Sequence, residues 1–443
     1  MCAVYDIIII GGGIVGLGVF RQLLLNGYKN VLLLEKSSQI ITGASCGNSG
    51  ILHTGFDTVP QTLESKLVKR GYELYQSFAQ DVPLPIKKIG AYIVAWKSEE
   101  LEILKQILDT AHENGVTDIE EISPTVLYKL QPHLRADALH ALYIPGECIV
   151  DPLSLPLILY IQGKLLGGHV QMNVEITNGK YDSETNYWTL NDGQFKTRLV
   201  INCAGLYGDY VEKIRISQQT LSTSTFTIQP RMGQFSVYSS PTTPLPIESI
   251  ILQYQQNLLK DRSHAPVKSD INDILYNRLI ELIPTFSTLN YQHVGSYTGI
   301  RPATEYADYQ IQSYNDLQWI CCGGIRSTGL TSSLAIGEYI SEKINEMTPI
   351  KRELVCEGYS SERYNQSLEE LKSMFTITSN GLQPKLIKNE SNVLRTLTGD
   401  IKLGENIKTV NLKISCGDEV LDISHSLLKL AWITKHSEGA DDS

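Results

Sequence analysis

The sequence predicts a mixed α/β (α+β) protein in which a Rossmann-like nucleotide-binding domain is interleaved with a second domain built on antiparallel sheet, followed by a small C-terminal extension. Three observations carry this. A β-branched run breaks into closely spaced glycines, then into helical periodicity, then into a second apolar run that ends in an acid. Sheet-like patterning stops after that unit and returns in separate blocks further along the chain. After about residue 350 the glycine-rich motifs stop, and the chain ends in the polar stretch "HSEGADDS".

The first unit is "VYDIIIIGGGIVGLGVFRQLLLNGYKNVLLLEK". Ile7 to Ile10 form a continuous apolar run, as expected of a parallel strand buried on both faces. Gly11, Gly13 and Gly16 follow in G-x-G-x-x-G spacing. Helical periodicity runs from Ile14 to Leu25 and stops at Asn26-Gly27; Val31 to Leu34 form a second strand ending in Glu35. Gly11 permits the tight turn, Gly13 lets a pyrophosphate approach the backbone, and Gly16 allows close helix–strand packing. The anion sits at the helix N-terminus, where Ile14 and Val15 begin the turn and unpaired N–H groups favour negative charge. Glu35, with Lys36 after it, falls roughly 20 residues past the glycines, where a carboxylate can accept from a ribose hydroxyl. FAD and NAD share this motif.

Next comes "GASCGNSGILHTGFD", Gly43 to Asp57, a small-residue loop of the kind that lets backbone approach something bulky. Its one titratable imidazole is His53. A long helical segment and the strand "IGAYIVAW" follow, and the sheet pattern returns at "HVQMNVEITNGKYD", "YWTLNDG", "RLVINCAGLYGDYV" and "QWICCGGIRSTGLTSSLAIGEYISEKI". A simple NAD dehydrogenase would continue in regular βα units; the interleaving points to a flavin enzyme.

Bulk properties narrow the class. In 443 residues, 42% hydrophobic, there is ample core for two or three structural units. A formal net charge of −10 and a pI near 5.5 argue against sequence-independent nucleic-acid binding, while leaving room for a small anionic substrate in a local cleft. The eight cysteines are scattered without paired ligand spacing, so no metal site is expected. The N-terminus "MCAVYDIIIIGGG" has no basic n-region, and no window reaches about 18 uninterrupted apolar residues, so no integral membrane segment is expected. These features suggest a cytoplasmic protein, with mitochondrial or peripheral membrane association left open.

The motifs "IIIIGGGIVGLG", "NSGILHTGFD", "IGAYIVAW", "ALYIPGECIVDP", "VINCAGLYGDYV", "PRMGQFSVY", "GIRPATEYADYQI" and "GGIRSTGLTSSLAIGEYI" resemble the D-amino-acid-oxidase-like superfamily of FAD-dependent oxidoreductases. The likeness covers roughly residues 5 to 345. It is strongest to the glycerol-3-phosphate oxidase/dehydrogenase group through "HTGFD", "PRMGQF" and "GLTSS". The L-2-hydroxyglutarate dehydrogenase group is similar at "NSGILH" and "CIVDP". The resemblance implies a discontinuous FAD-binding domain at 1–80, 150–220 and 292–348. It implies a substrate-binding domain at 81–149 and 221–291, and a C-terminal extension with a disordered end at 349–443.

It also implies roles. Ser45, Asn48 and Ser49 would lie along the cofactor; "VEI" around Val174 would be a strand pairing with the adenine; Ala204 and Gly205 would turn past the nucleotide. Gly329, Leu330 and Thr331 would direct N–H groups at the flavin edge that becomes anionic on reduction. His53 would be the base, with two alternatives: a hydrogen bond to flavin or backbone only, or covalent attachment of FAD. Arg301, in "GIRPA", would bind the substrate anion through its planar fork, and Ser327 would be a second anion contact beside Arg326. Ser49 is either a flavin or substrate contact or a turn residue. The implied reaction is oxidation of a small anionic 2-hydroxy compound, with oxygen, a quinone or another acceptor as partner.

The chain departs from the family after "MGQF". Relatives continue into a strand pair; here "PLPIESIILQYQQNLLKDRSHAPVKSD" lacks the first half, and a lysine presented there by phosphate-oxidising relatives has no clear counterpart. The expectation is an open edge beside this strand and a remodelled pocket or impaired catalysis. In the tail, "GYSSERYNQSLEELKSMF" reads as a helix and "KTVNLKISCGDEVLDISHSLLKLAWI" as a strand then a helix.

Overall fold

The computed structural model describes residues 4–347, other than 83, 85, 153, 219–224, 240–246, 248, 253–256, 259–267 and 289–290; beyond 347 it describes only short strands between 375 and 422. The first strand, Val4–Ile10, is central to an eight-stranded sheet. It pairs in parallel with Val31–Leu34 on one side and with Phe195–Asn202 on the other. His169–Gln171 extends the parallel set beyond Val31–Leu34, and Trp319–Gly323 extends it beyond Phe195–Asn202. Ile7, Ile8 and Ile9 are fully buried because helices cover one face of this sheet and a second apolar cluster covers the other.

Helices Ile14–Leu25, Ser154–Leu165 and Gly329–Glu346 supply the first layer. On the other face, the antiparallel strands Gly179–Asp182 and Tyr187–Leu190 bring Trp188 against Trp319, with ring centroids 4.9 Å apart. Helix Leu63–Asp81 packs on Gly329–Glu346. Its start is doubly satisfied: Thr62 accepts from the Ser65 N–H, and Asp308 accepts from the Leu63 and Glu64 N–H groups at 2.8 Å.

The second unit contains two antiparallel-rich sheets. One holds Ile250–Leu252, Ala91–Ala95, His140–Ile144 and Glu120–Ile122 in that order. The other is built on Gln229–Ser239 and Gln292–Ala303, which pair antiparallel along nearly their whole length. This corrects the expected position of 292–303: its ladder lies in the second sheet, and the nucleotide-side sheet resumes at Gln310–Tyr314. On the far side of Gln229–Ser239, among the described residues, only Arg231 and Met232 find a ladder partner, in Asn257–Leu258. The basic residues nearest in sequence to the position of that absent lysine, Lys260 and Arg262, lie outside the described residues.

In the tail, Lys413–Cys416 pairs antiparallel with Glu419–Asp422, so a hairpin stands where one strand was expected. The helix expected from "GYSSERYNQSLEELKSMF", the later tail helix and the polar end lie outside the described residues.

Candidate active site

One elongated cavity runs along the C-terminal ends of the parallel strands and on to the face of the sheet formed by Gln229–Ser239 and Gln292–Ala303. Its nucleotide end is made by backbone. Gly11 has φ +115°, and a Cβ there would lie 2.4 Å from the Cys203 carbonyl oxygen. A Cβ on Gly16 would meet the Gly11 carbonyl at 2.0 Å, so Gly16 sits beneath the turn and outside the cavity lining. Helix Ile14–Leu25 starts with no side-chain cap from its N-cap residue and no acid in its first turn; Ser45 Oγ accepts from the Ile14 N–H at 3.0 Å. Such an end suits a phosphate. Gly13, Ile14 and Val15 line the cavity there.

Glu35 lines the same end and is 8% exposed. One carboxylate oxygen accepts from the Gly12 N–H at 2.7 Å and the other from the Ser37 N–H at 2.8 Å. Each oxygen keeps lone-pair capacity for a hydroxyl. Lys36 lines the cavity, its Nζ 3.1 Å from the centre of the Tyr207 ring. Ala204 and Gly205 line the opposite wall, Gly205 with φ +53°. Val174 lines the cavity too, but it is not in a strand: its N–H donates to the Glu35 carbonyl at 2.9 Å.

The small-residue loop forms the middle. Ser45, Asn48 and Ser49 line the cavity. Asn48 spends its side chain on the loop itself, donating to the Ser45 carbonyl and accepting from the Gly50 N–H. The loop meets the second sheet through two glycines: a Cβ on Gly47 would lie 2.4 Å from Gly299 Cα, and one on Gly299 would lie 2.0 Å from the Gly47 oxygen. Tyr297 reinforces the seam, its hydroxyl donating to the Asn48 carbonyl at 3.2 Å. The sheet face turned to the cavity therefore carries Tyr297 stacked on Phe235, with centroids 4.6 Å apart, then Gly299 beside Gly233, then Arg301 beside Arg231. Arg301 lines the cavity and makes no ion pair among the described residues. Loss of hydration and the like charge of Arg231 lower its pKa. Two guanidiniums directly opposite each other repel, and an anion between them relieves that.

At the third corner, helix Gly329–Glu346 starts without a side-chain cap. Gly329, Leu330 and Ser327 line the cavity. Thr331 does not: it is fully buried, and its Oγ1 accepts from the His53 N–H at 3.1 Å. Arg326 lines the cavity, yet its guanidinium is held by buried Glu64 at 2.7 Å, which ties it to helix Leu63–Asp81.

His53 follows the short strand Ile51–Leu52 and stands outside the cavity lining. Its ring is 22% exposed, and its Nδ1 lies 3.0 Å from Oε2 of Glu147, which is completely buried. Burial pulls the His53 pKa down, but the Glu147 charge and hydrogen bond outweigh it, so the net shift is upward; Asp57 adds to the rise and Arg301 opposes it. Glu147 was not singled out by sequence. It lies in an ordinary-looking turn between two strands, and nothing in "PGECI" signals that its carboxylate points at a histidine 94 residues earlier.

The comparisons with known proteins decide the family. The family model for FAD-dependent oxidoreductases, DAO, matches residues 6–343. The chain belongs to this family. Its cofactor is accordingly FAD, and the cavity fits that group: two helix starts whose own N-cap residues supply no side-chain cap, a turn with no room for a Cβ, and an acid beyond the second strand. Among curated relatives, the chain is 25% identical over 360 residues to a glycerol 3-phosphate dehydrogenase of Caloramator mitchellensis, covering 76% of this chain and 73% of that one. It is 30% identical over 220 residues to the mitochondrial L-2-hydroxyglutarate dehydrogenase of Nematostella vectensis, covering 46% of this chain and 48% of that one. The match therefore spans about half of the hydroxyglutarate enzyme. Among solved structures, the reduced, FAD-bound L-alpha-glycerophosphate oxidase of Mycoplasma pneumoniae superposes with TM-score 0.70 at 23% identity, over 79% of this chain and 97% of that one. Among the described residues, no helix of this DAO-family protein is long and apolar enough to cross a membrane.

Proposed function

We propose that the protein oxidises a small anionic 2-hydroxy compound, sn-glycerol 3-phosphate first, to the corresponding ketone. The observation that supports this reading best is Arg301: a guanidinium without an ion-pair partner among the described residues, on the cavity wall, with Arg231 across the ladder and Ser327 on the facing loop. The planar fork of Arg301 suits a phosphate, which accepts several charge-assisted hydrogen bonds. Bound FAD supplies the two-electron acceptor. The chain's residues do the rest. Arg301 and Ser327 hold the anionic end, Ser49 orients the alcohol, and His53 takes the hydroxyl proton. The loop 43–49, pressed on the sheet at Gly299, keeps Ser49 beside the strand that carries Arg301. Reoxidation by oxygen, a quinone or another acceptor completes the turnover.

L-2-hydroxyglutarate is the second reading, supported by the 30% identity to an enzyme of that name and by the same Arg301, which would suit a carboxylate. The test is direct. The FAD-loaded protein is mixed without oxygen with glycerol 3-phosphate, then separately with L-2-hydroxyglutarate, and the 450 nm flavin band is followed. Bleaching by the first and not the second supports the proposal. Bleaching by neither overturns both substrate readings, and a persistent yellow band with every 2-hydroxy acid tried overturns the enzyme reading in favour of a flavin protein with impaired catalysis. His53→Ala should keep the yellow band and slow bleaching by about 10²-fold or more, the usual contribution of a general base.

A further inference from the structure

We propose that Glu147 is a positioning residue for the oxidation: it holds His53 as the Nδ1–H tautomer and so leaves Nε2 as the proton acceptor. The inference rests on the reading of His53 as the base.

Glu147 is a carboxylate with no exposed surface, an expensive group to bury unless it is fully engaged. It is engaged in an asymmetric way. One oxygen accepts twice from Thr54, from the N–H at 2.7 Å and from the hydroxyl at 2.8 Å. The other accepts from His53 Nδ1 at 3.0 Å. Among the described residues, its one ion-pair partner is His53. The turn is pinned independently, because the Glu147 carbonyl accepts from the N–H groups of Ile89 and Gly90. Holding the turn therefore does not need an acid at this position. A carboxylate only accepts, so Nδ1 must carry the hydrogen and the lone pair of the neutral ring lies on Nε2. The backbone of His53 is anchored separately on Thr331. The ring thus has both its position and its tautomer assigned by protein groups.

The proton balance follows. The substrate O–H bond breaks, its proton moves to Nε2, and the carbon's hydrogen leaves with its electron pair to the bound oxidant. The imidazolium that forms faces Glu147 and Asp57, which stabilise it, and Arg301, which opposes it. Thr54 and Thr331 are the uncharged neighbours.

The test uses Glu147→Gln and Glu147→Asp in the FAD-loaded protein. The first readout is a ¹⁵N NMR titration of histidine-labelled protein. Glu147→Gln should lower the His53 midpoint by about one pH unit or more. It should also convert part of the neutral ring to the Nε2–H form, because the new amide can donate to Nδ1. The second is anaerobic bleaching against pH, whose rising limb should move down with the NMR midpoint while the plateau rate falls about tenfold. Glu147→Asp keeps the charge and should restore part of the midpoint. If both variants titrate with the wild-type midpoint and tautomer, Glu147 has no positioning role. If His53→Gln bleaches at the wild-type rate, the base assignment itself fails, and with it this proposal. A slow His53→Gln beside an unperturbed Glu147→Gln overturns the positioning role alone.

Discussion

The nucleotide end and the substrate end of the cavity are built on opposite principles. The first is framed by backbone, a turn at Gly11 and a helix start at Ile14, with the Glu35 carboxylate held by two backbone N–H groups. At the second, the contacts are side chains from strands far apart in sequence, such as Arg301 beside Arg231 and Phe235 under Tyr297. The two are joined at one seam, where Gly47 and Gly299 touch with no space for a methyl group. Backbone sites should fail all at once when their geometry is disturbed; side-chain sites should lose affinity or rate while the fold persists.

The most damaging change should be Gly11→Ala. The residue needs φ +115°, and its methyl group would collide with the Cys203 carbonyl. A strained backbone of this kind costs about 1–3 kcal/mol before the clash is counted. The expected outcome is loss of the 450 nm band from the purified protein, together with a lower thermal midpoint. Next comes Gly47→Ala, which forces the loop off Gly299. Here FAD should stay bound, while the seam opens and substrate-dependent bleaching slows for every substrate alike; stopped-flow rates across a substrate series would show whether the loss is uniform. Arg301→Ala should be more selective still. Losing charge-assisted hydrogen bonds costs about 1.5–3 kcal/mol, or roughly 10- to 10²-fold in KM for the anionic substrate, with flavin absorbance unchanged. An equal loss for a neutral alcohol would show that Arg301 shapes the cavity instead of binding charge.

The same contrast explains what could be read in advance. The strand, helix and second strand from Val4 to Leu34 were legible because each follows from local rules: β-branched runs, glycine spacing, an Asn-Gly stop. A helix is also expected after "GIRSTGLTSS"; it begins inside that stretch, at Gly329. Arg301 was singled out by resemblance alone, and it lines the cavity. What was missed depends on pairing at a distance. The ladder of Gln292–Ala303 with Gln229–Ser239 is set by two strands separated by a helix and loops, so its sheet could not be assigned from either segment alone. Val174 looked like a strand because "VEI" is β-prone, but its N–H is taken by Glu35. Thr331 sits one residue past the cavity and turns its hydroxyl to His53. Glu147 was invisible because its partners, His53 and Thr54, are brought to it only by the fold.

The smallest predicted effect lies at that last contact and concerns stability. His53 is subject to two opposed influences: burial, the larger single one, disfavours the imidazolium, and Glu147 favours it by charge and hydrogen bond. The sum raises the folded-state pKa above the ordinary value of about 6.5. A raised histidine pKa means that the folded protein holds the proton more tightly than the unfolded chain. The stabilisation is therefore complete below about pH 6.5 and is lost as pH rises through the folded-state value. The difference in urea midpoint between the wild type and His53→Gln, measured from about pH 5 to 9 at fixed excess FAD, should be most favourable to the wild type at the acid end and shrink above neutrality. The ring is partly open to solvent, so water screens part of the effect. A difference that instead grows with pH would mean that burial outweighs Glu147 and that His53 is held neutral in the folded state. That result would leave the tautomer assignment intact, since Nδ1 still faces a carboxylate, but it would move the rising limb of the bleaching profile below pH 6.5 rather than above it.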